Sequence, residues 1–204
     1  RTTVASHERI GIFRVFGRDA GFSALYTAYV TSIRCVIPEY KFHIERLTEL
    51  LMYDRNRNPS KYSIVLVSEG SMFEGGEMVF QDRTTDAYGH AKLGGIGDLV
   101  SASVSELSPK YNSGRKVNVI NQKLGYMVRG GDPDAIDSIV PMAFGNLALD
   151  LVLKNQFGRL VSIHRGFYDS VPITSVTSEK KVVNVPRYYN TERLRPIYDF
   201  DGAP

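Results

Sequence analysis

The amino-acid sequence predicts an α/β fold, with a mostly parallel sheet and helices on both of its faces. Two observations lead to this prediction. Short apolar runs rich in β-branched residues, typical of strands buried in a parallel sheet, alternate with stretches whose apolar residues recur at helical spacing. The chain also has 204 residues, 43% of them hydrophobic, which is enough for one large domain or two small ones.

The first third of the chain alternates strand and helix without a long interruption. The predicted elements are, in order, a strand over 10–16, a helix with Phe22, Leu25, Tyr29 and Ile33 on one face, a strand over 35–37, a helix striped by Ile44, Leu47, Leu50 and Leu51, and a strand over 63–68. The last of these is the clearest, because turn residues bound a short, fully apolar run.

The remainder begins with a polar segment, interpreted as a long loop over 69–94. The next elements are a helix marked by Ile96, Leu99, Val100, Val104 and Leu107, a strand around 117–119 that runs to the 125–131 motif, a helix from Asp132-Pro133-Asp134 to Leu151 that is kinked or split at Pro141, and a strand over 159–163. The segment after Pro172 is predicted to be irregular surface structure.

Composition and charge exclude several classes of function. The 25 Lys+Arg and 22 Asp+Glu give a net charge of +3, and no Lys/Arg cluster is interleaved with aromatic residues, so we expect no nucleic-acid partner. We find no stretch close to the roughly 20 apolar residues of a membrane span and no signal-peptide pattern. The expectation is a cytoplasmic protein with no membrane partner.

Cysteine and histidine usage argues against a metal or disulfide framework. The single cysteine, Cys35, allows no disulfide within the chain and no multi-cysteine zinc site. It stands in an apolar run, where a small buried hydrophobe is the favoured interpretation over a nucleophile. The four histidines are scattered without metal-ligand spacing, so we expect no metal site formed by this chain alone.

Charged residues follow each predicted strand at the place where α/β sheets bind ligands. Ligands of open α/β sheets lie outside the carboxyl ends of the strands. Guanidinium groups bind phosphate in a bidentate manner and carboxylates accept hydrogen bonds from sugar hydroxyls, so a sugar phosphate is the predicted ligand. The residues at these ends are Arg18, Glu39, Glu69 and Arg129, accompanied by Gly17, Gly70, Gly130 and Gly131.

Each of these residues also has a structural interpretation. Arg18 and Arg129 could be surface arginines or partners of the adjacent Asp19 and Asp132. Glu39 follows a proline and is favoured as a turn or cap residue. Glu69, at the end of a fully apolar strand, is favoured as a functional residue.

Four motifs together resemble the 6-phosphofructokinase family. The resemblance runs from about residue 6 to the region of Pro172 and covers roughly the C-terminal half of that family's catalytic unit. It implies a phosphofructokinase-like three-layer sandwich, of which this chain is a part. The motifs are Phe16-Gly17-Arg18-Asp19-Ala20-Gly21, Pro38-Glu39, Ser68-Glu69-Gly70 and Leu124-Gly125-Tyr126-Met127-Val128-Arg129-Gly130-Gly131.

The resemblance implies a role for each matching residue. Arg9 would reach across a subunit interface to the 6-phosphate of fructose 6-phosphate, and Arg129 would bind the same phosphate. Phe16, Gly17 and Arg18 would lie against the sugar, with Arg18 also stabilising the transferring phosphoryl group as the catalytic residue. Glu69 would hold sugar hydroxyls.

The sequence departs from the family pattern at three places. Phe16 stands where methionine is usual, and Tyr126 stands where the family has histidine. A tyrosine can still donate a hydrogen bond but does not become charged near neutral pH. A second cross-subunit arginine has no clear counterpart, because Ile120 falls near its place, with Lys116 and Lys123 as candidate substitutes.

The implied reaction is transfer of a phosphoryl group from ATP to the 1-hydroxyl of fructose 6-phosphate, giving fructose 1,6-bisphosphate in glycolysis. The family's aspartate base and its loops for the donor and Mg²⁺ belong to an N-terminal half that we do not find here. We therefore expect Mg²⁺ to be bound mainly by that half and by the donor. The alternatives are pyrophosphate as the donor, or a non-catalytic regulatory module that binds a sugar phosphate.

Three expectations concern organisation. Residues 1–172 are predicted to form the sugar-phosphate-binding part and residues 173–204 an irregular C-terminal extension. The chain opens at Arg1 and reaches a strand within ten residues, as would a sequence that starts inside a domain or one processed from a longer precursor. Because Arg9 would serve a neighbouring site, the resemblance implies a homodimer or a homotetramer.

Overall fold

A computed structural model of the chain describes residues 1–75, 80–85, 91–93, 95–177 and 180–198. Short 3-10 helices at Ser108–Tyr111 and Tyr126–Arg129 lie before and after the strand Val119–Lys123. The elements are α1 (Thr2–Ala5), β1 (Ile10–Val15), α2 (Phe22–Thr31), β2 (Arg34–Val36), α3 (Ile44–Arg57), β3 (Ser63–Ser68), β4 (Phe80–Thr85), β5 (Ala91–Leu93), α4 (Ile96–Leu107), β6 (Val119–Lys123), α5 (Ala135–Leu153), β7 (Arg159–His164), β8 (Phe167–Pro172), α6 (Thr174–Thr177), α7 (Val185–Tyr188), β9 (Tyr189–Asn190) and β10 (Arg195–Pro196).

The central sheet is parallel and has the strand order β2-β3-β1-β6. β1 pairs with β3 from Ile10 opposite Ser63 to Val15 opposite Ser68, and on its other side it pairs with β6. The chain runs from β1 outward to β2, returns to β3 and then passes β1 to reach β6. Since such crossovers are right-handed, the outward step places α2 on one face and the return steps place α3 and α4 on the other. The predicted α/β architecture is confirmed.

Burial explains why these strands could be identified from their residues. All six side chains of β3 and all three of β2 are buried, as expected where helices cover both faces of a sheet. The core continues from Ile10 and Ile12 of β1 to the apolar faces of α3 and α4, which contact each other. Burial of apolar surface stabilises the fold by about 25 cal/mol per Å². Apolar side chains are therefore required along these strands, and this makes the strands easy to recognise in the sequence.

Two segments on either side of α4 differ from the predicted secondary structure. The segment interpreted as a loop over 69–94 contains the antiparallel pair β4–β5, although its residues 76–79, 86–90 and 94 lie outside the described part of the chain. The strand predicted to run to the 125–131 motif ends at Lys123, and Tyr126–Arg129 is a 3-10 helix. The side chains of residues 126–128 are exposed, so this apolar run lacks the burial that a strand of the sheet would have.

The chain divides into two compact units. The first contains residues 1–127 and 182–204, and the second contains Val128–Lys181. The second unit consists of α5, the hairpin β7–β8 and α6, with Phe144 and Tyr168 in edge-to-face contact at 6.0 Å between ring centroids. These boundaries differ from the division predicted at residue 172, which concerns function and stays a prediction.

The predicted final strand, β7, is half of an antiparallel hairpin rather than a strand of the parallel sheet. Its register pairs His164 with Phe167, which leaves Arg165 and Gly166 as a two-residue turn. Both have positive φ, at 52° and 85°, and this is the turn geometry that matches the twist of a hairpin.

Helix α5 is continuous over nineteen residues, so Pro141 lies inside it and does not divide it. Its N-cap is Asp134, two residues later than the predicted capping residue Asp132. The Asp134 carboxylate accepts a hydrogen bond from the Asp137 amide at 2.9 Å. By length and composition alone it could cross a membrane, so the expectation that no stretch comes close to a membrane span is wrong for this helix. Several of its large apolar side chains are exposed: Ile136, Ile139, Met142, Leu149, Val152 and Leu153.

We expect these exposed side chains to bind the dye ANS, because contiguous apolar surface is its binding target. Replacing Ile136 and Met142 together by serine should lower the fluorescence of the bound dye. The matched control is Val30→Ser, which removes an equally exposed apolar side chain from α2. Equal fluorescence of the double variant and the unaltered chain would contradict the expectation.

The segment after residue 181 is more ordered than the irregular extension predicted for 173–204. Val183, Tyr189 and Leu194 are buried in the core of the first unit. The Tyr189 hydroxyl donates a hydrogen bond to the Cys35 carbonyl at 2.7 Å, and the Cys35 amide donates to the Leu194 carbonyl at 3.0 Å. The segment thus completes the β2 side of the sheet, which no local sequence pattern could indicate.

Cys35 is fully buried, as the sequence predicted, and burial raises the pKa of its thiol to about 12. We expect no reaction of the folded protein with a thiol reagent such as DTNB at pH 8, and full reaction in denaturant.

The unfolded thiol ionises near its ordinary pKa of about 9, below the folded value. Stability should therefore fall as pH rises above about 9, and Cys35→Ala should reduce this dependence in urea titrations.

Candidate functional site

The carboxyl ends of β1 and β3 form the crevice in which an α/β sheet of this kind binds ligands. These strands are neighbours, yet the helices that follow them, α2 and α4, lie on opposite faces of the sheet. The two connections therefore diverge and leave an opening between them, a topological switch point. Phe16-Gly17-Arg18 follows β1 at this point and Glu69-Gly70 follows β3, so the fold brings these two predicted motifs together.

Backbone hydrogen bonds hold the two loops against each other. The Glu69 amide donates to the Val15 carbonyl at 3.1 Å, and the Gly70 amide donates to the Gly17 carbonyl at 3.0 Å. Both glycines are required by this close approach. A side chain at Gly70 would collide with the Arg18 carbonyl oxygen, and Gly17 has a φ of 138°, which side chains rarely allow.

Charged side chains stand at this crevice. Arg18 is half-buried, as is Phe16 beside it. The Glu69 carboxylate lies 3.8 Å from the Arg14 guanidinium, measured from Oε2 to Nη1, and both side chains are largely buried. Sequence reasoning missed Arg14, because it lies inside β1 and not at its end. A charged residue in an otherwise apolar strand, one residue before its end, was the available signal.

Glu39 is a structural residue, in agreement with the favoured interpretation. Its carboxylate accepts hydrogen bonds from the Gly21 amide at 3.0 and 3.1 Å and from the Val183 amide at 2.8 Å. Gly21 is the N-cap of α2, so Glu39 satisfies a donor at the start of that helix and fastens the C-terminal segment to the sheet.

Arg9 lies at the amino-terminal ends of the parallel strands, whereas Arg18 and Glu69 follow their carboxyl ends. It directly precedes β1, and its carbonyl accepts a hydrogen bond from the Ser63 amide, at the start of β3. Six strand residues separate it from Phe16, a span of roughly 20 Å at the usual rise of a strand. Within one chain the structure therefore does not bring Arg9 to the crevice.

The resemblance implied a second cross-subunit arginine, and the three residues considered for its place lie in or beside β6. Ile120 is a strand residue that pairs with Gly11. Lys123, at the end of the strand, forms an ion pair with Asp98 of α4 at 2.8 Å. Lys116 is exposed and precedes the strand.

Tyr126 and Arg129 are the first and last residues of the 3-10 helix after β6. Tyr126 belongs to the first unit and is 82% exposed. Arg129 belongs to the second unit. Its role in binding phosphate stays a prediction.

The acidic and histidine side chains in the described part of the chain do not form a metal centre. Within the described ranges, no three side chains of His, Cys, Asp or Glu come together to ligate an ion. Acidic side chains near the crevice already have cationic or amide partners: Glu69 has Arg14, and Asp98 has Lys123 and the Asn121 amide. This donor set does not fit Mg²⁺.

Fold and site define an α/β protein of the doubly wound type with a polar crevice at its switch point. The family model described as Phosphofructokinase matches residues 1–152, which include all of the central sheet and nearly all of α5. The chain belongs to the phosphofructokinase family.

Relatives of this chain are named for one of two phosphoryl donors, pyrophosphate or ATP. Pyrophosphate–fructose 6-phosphate 1-phosphotransferase from Amycolatopsis methanolica is 32% identical over 193 residues, which are 94% of this chain and 54% of that protein. ATP-dependent 6-phosphofructokinase 3 from Streptomyces coelicolor is 29% identical over the same share of each chain. The chain thus spans about half the length of the curated relatives it matches.

Solved structures give the same fold. The pyrophosphate-dependent phosphofructokinase from Nitrosospira multiformis superposes with a TM-score of 0.71 at 18% identity, covering 96% of this chain and 48% of that one. Phosphofructokinase from Saccharomyces cerevisiae superposes with a TM-score of 0.63 over 85% of this chain.

Proposed function

We propose that this chain forms the fructose 6-phosphate-binding half of a 6-phosphofructokinase, which transfers a phosphoryl group to the 1-hydroxyl and gives fructose 1,6-bisphosphate. The observation that carries the proposal is the meeting of the Arg18 and Glu69 loops at the switch point of a sheet in this family. An arginine and a glutamate on touching loops supply one group for a phosphoryl oxygen and one for sugar hydroxyls.

Each residue has a defined part in this proposal. Glu69 accepts hydrogen bonds from sugar hydroxyls and so orients the ring. The Arg18 guanidinium stabilises the negative charge that develops on the transferring phosphoryl group. Phe16, Gly17 and Arg18 lie against the sugar, Arg129 binds the 6-phosphate, and Tyr126 donates to it through its hydroxyl.

The position of Arg9 supports an oligomeric enzyme. Arg9 lies at the end of the sheet opposite the crevice of its own subunit. It therefore fits a contact with the 6-phosphate bound in a neighbouring subunit better than a contact with the 6-phosphate bound in its own subunit. We therefore propose a homodimer or homotetramer, acting in the cytoplasm. The base that takes the proton of the 1-hydroxyl, and Mg²⁺ with the donor, would be held by the remaining half of the catalytic unit.

ATP is the donor that we propose, and pyrophosphate is the second candidate. The observation that favours the second is that three of the most similar relatives, at 31–32% identity, are named for pyrophosphate. Assays of the natural protein that carries this sequence, with fructose 6-phosphate and either donor, decide between them.

Calorimetric titration of the purified chain with fructose 6-phosphate tests the binding function. We expect saturable binding that is weakened at least tenfold by Glu69→Gln and by Arg18→Met, each removing a charge-assisted hydrogen bond. Arg46→Met is the matched control, since Arg46 is an exposed residue of α3 paired with Glu49. No binding by the unaltered chain, or equal binding by all three variants, would contradict the proposal.

If the sugar binds and neither donor supports turnover by the natural protein, the regulatory module becomes the correct interpretation. Titration with fructose and with inorganic phosphate, run separately, shows which part of the ligand the crevice recognises. The proposal requires fructose 6-phosphate to bind more tightly than either.

A further inference from the structure

Arg14 is a largely buried charge in a central strand of the sheet and belongs to none of the motifs that form the candidate site. It is the fifth residue of β1 and lies opposite Val67 on one side and Lys123 on the other. Its side chain is only 16% exposed, and Glu69 beside it is 18% exposed. Burying a guanidinium at this position disfavours folding unless the charge is balanced, so the pairing with Glu69 needs an explanation.

The surroundings of Arg14 direct it toward Glu69. On the face of the sheet covered by α4, a methyl group at Gly97 would lie 3.5 Å from the Arg14 Cβ, so the first turn of α4 packs directly over this residue. The start of a helix carries partial positive charge, which disfavours a nearby guanidinium. The negative charge of Glu69 offsets both.

The distance between the two charges matters for function. At 3.8 Å the Arg14 Nη1 and the Glu69 Oε2 attract each other but exceed the length of a hydrogen bond. The carboxylate is therefore balanced while its oxygens keep lone pairs for other donors. A direct, bidentate arginine pair such as that of Arg34 with Asp54, at 2.7 Å, would occupy those oxygens instead.

We propose that Arg14 is a positioning residue for the sugar site: it holds the Glu69 carboxylate toward the crevice between β1 and β3 and affects sugar binding only through Glu69. The inference rests on the proposed function of Glu69. It adds a residue, inside a strand, on which recognition of the sugar hydroxyls depends.

A double-mutant cycle on the purified chain tests this inference. The dissociation constant of fructose 6-phosphate is measured for the unaltered chain, Arg14→Met, Glu69→Gln and the double variant. We expect Arg14→Met to weaken binding roughly tenfold and the double variant to match Glu69→Gln within about twofold, because contacting groups couple. Arg14→Lys should restore part of the affinity, and Arg46→Met should leave it unchanged.

Inorganic phosphate is the second probe. Since Arg14 acts on the sugar hydroxyls, its replacement should change the affinity for inorganic phosphate by less than about twofold, whereas a general loosening of the fold would weaken both ligands. Circular dichroism checks that each variant is folded, and Arg14→Lys keeps the test available if the methionine variant is not.

The outcomes separate the two proposals. If the unaltered chain does not bind fructose 6-phosphate, the proposed function fails, and the positioning role fails with it. If the chain binds but Arg14→Met binds equally well, only the positioning role is overturned. The same holds if Arg14→Met causes an equal loss with glutamine at position 69, because Arg14 would then act independently of Glu69.

Discussion

Replacing Asp54 with asparagine should destabilise the first unit by about 3 kcal/mol, the low end of the cost of breaking a buried ion pair. Asp54 is the shared partner of two arginines. Arg34 donates to both of its oxygens at 2.7 Å, and Arg195 donates at 3.0 Å. Asparagine keeps the shape but removes the charge that both guanidinium groups require.

Arg34 makes the effect large, because its side chain is only 5% exposed. Burial is the largest influence on the pKa of its guanidinium and lowers it, while the hydrogen bond and charge of Asp54 act in the opposite direction. The Arg34 Nη1 also donates to the Arg193 carbonyl. Asp54 thus joins β2, α3 and the C-terminal segment, and its loss acts on all three.

Urea unfolding followed by circular dichroism measures the effect. The matched control is Glu49→Gln, which breaks the exposed pair with Arg46 on the same helix and should cost less than about 0.5 kcal/mol. A change of similar size in the two variants would show that the Asp54 cluster does not stabilise the fold.

The sheet was predictable because its pattern is local. β3 is a continuous apolar run between turn residues, and α3 carries apolar residues at helical spacing, so each shows its burial in its own sequence. The Asp54 cluster was not predictable, since it joins residues 34, 54 and 195, and nothing in their spacing relates them. Tertiary contacts of this kind leave no periodic signal.

The candidate site was predictable to the same extent. The rule that ligands lie beyond the carboxyl ends of strands selected Arg18 and Glu69, and the fold brings their loops together. The same rule cannot find Arg14, which reaches the crevice from within a strand. Arg9 was found by resemblance alone, because it lies at the other edge of the sheet.

The hairpin β7–β8 was only half predicted, for a different reason. Leu160, Val161 and Ile163 gave β7 an apolar character, whereas Phe167–Pro172 contains Asp169 and Ser170 and ends in proline. Arg165-Gly166 between the two runs was the signal that could have identified the hairpin, because a glycine in a two-residue connection permits the positive φ of such turns.

Replacing Gly70 with alanine should disrupt the crevice itself. The added methyl group would collide with the Arg18 carbonyl oxygen, a backbone atom that cannot rotate away, so the loops after β1 and β3 must separate. We expect a loss of about 2–3 kcal/mol in unfolding free energy, as for overpacked sites. Fructose 6-phosphate binding should weaken at least tenfold, because Arg18 and Glu69 would no longer face the same ligand.

Gly125→Ala is the control for stability, because among the described residues, apart from its chain neighbours, no atom lies within 4 Å of its added methyl group. That variant should change the unfolding free energy by no more than about 0.5 kcal/mol. Gly70→Ala separates two explanations for the close approach of the loops after β1 and β3. A variant that is destabilised but binds the sugar phosphate normally would show that the close approach serves folding alone, whereas a parallel loss of both would show that the contact between the loops builds the site.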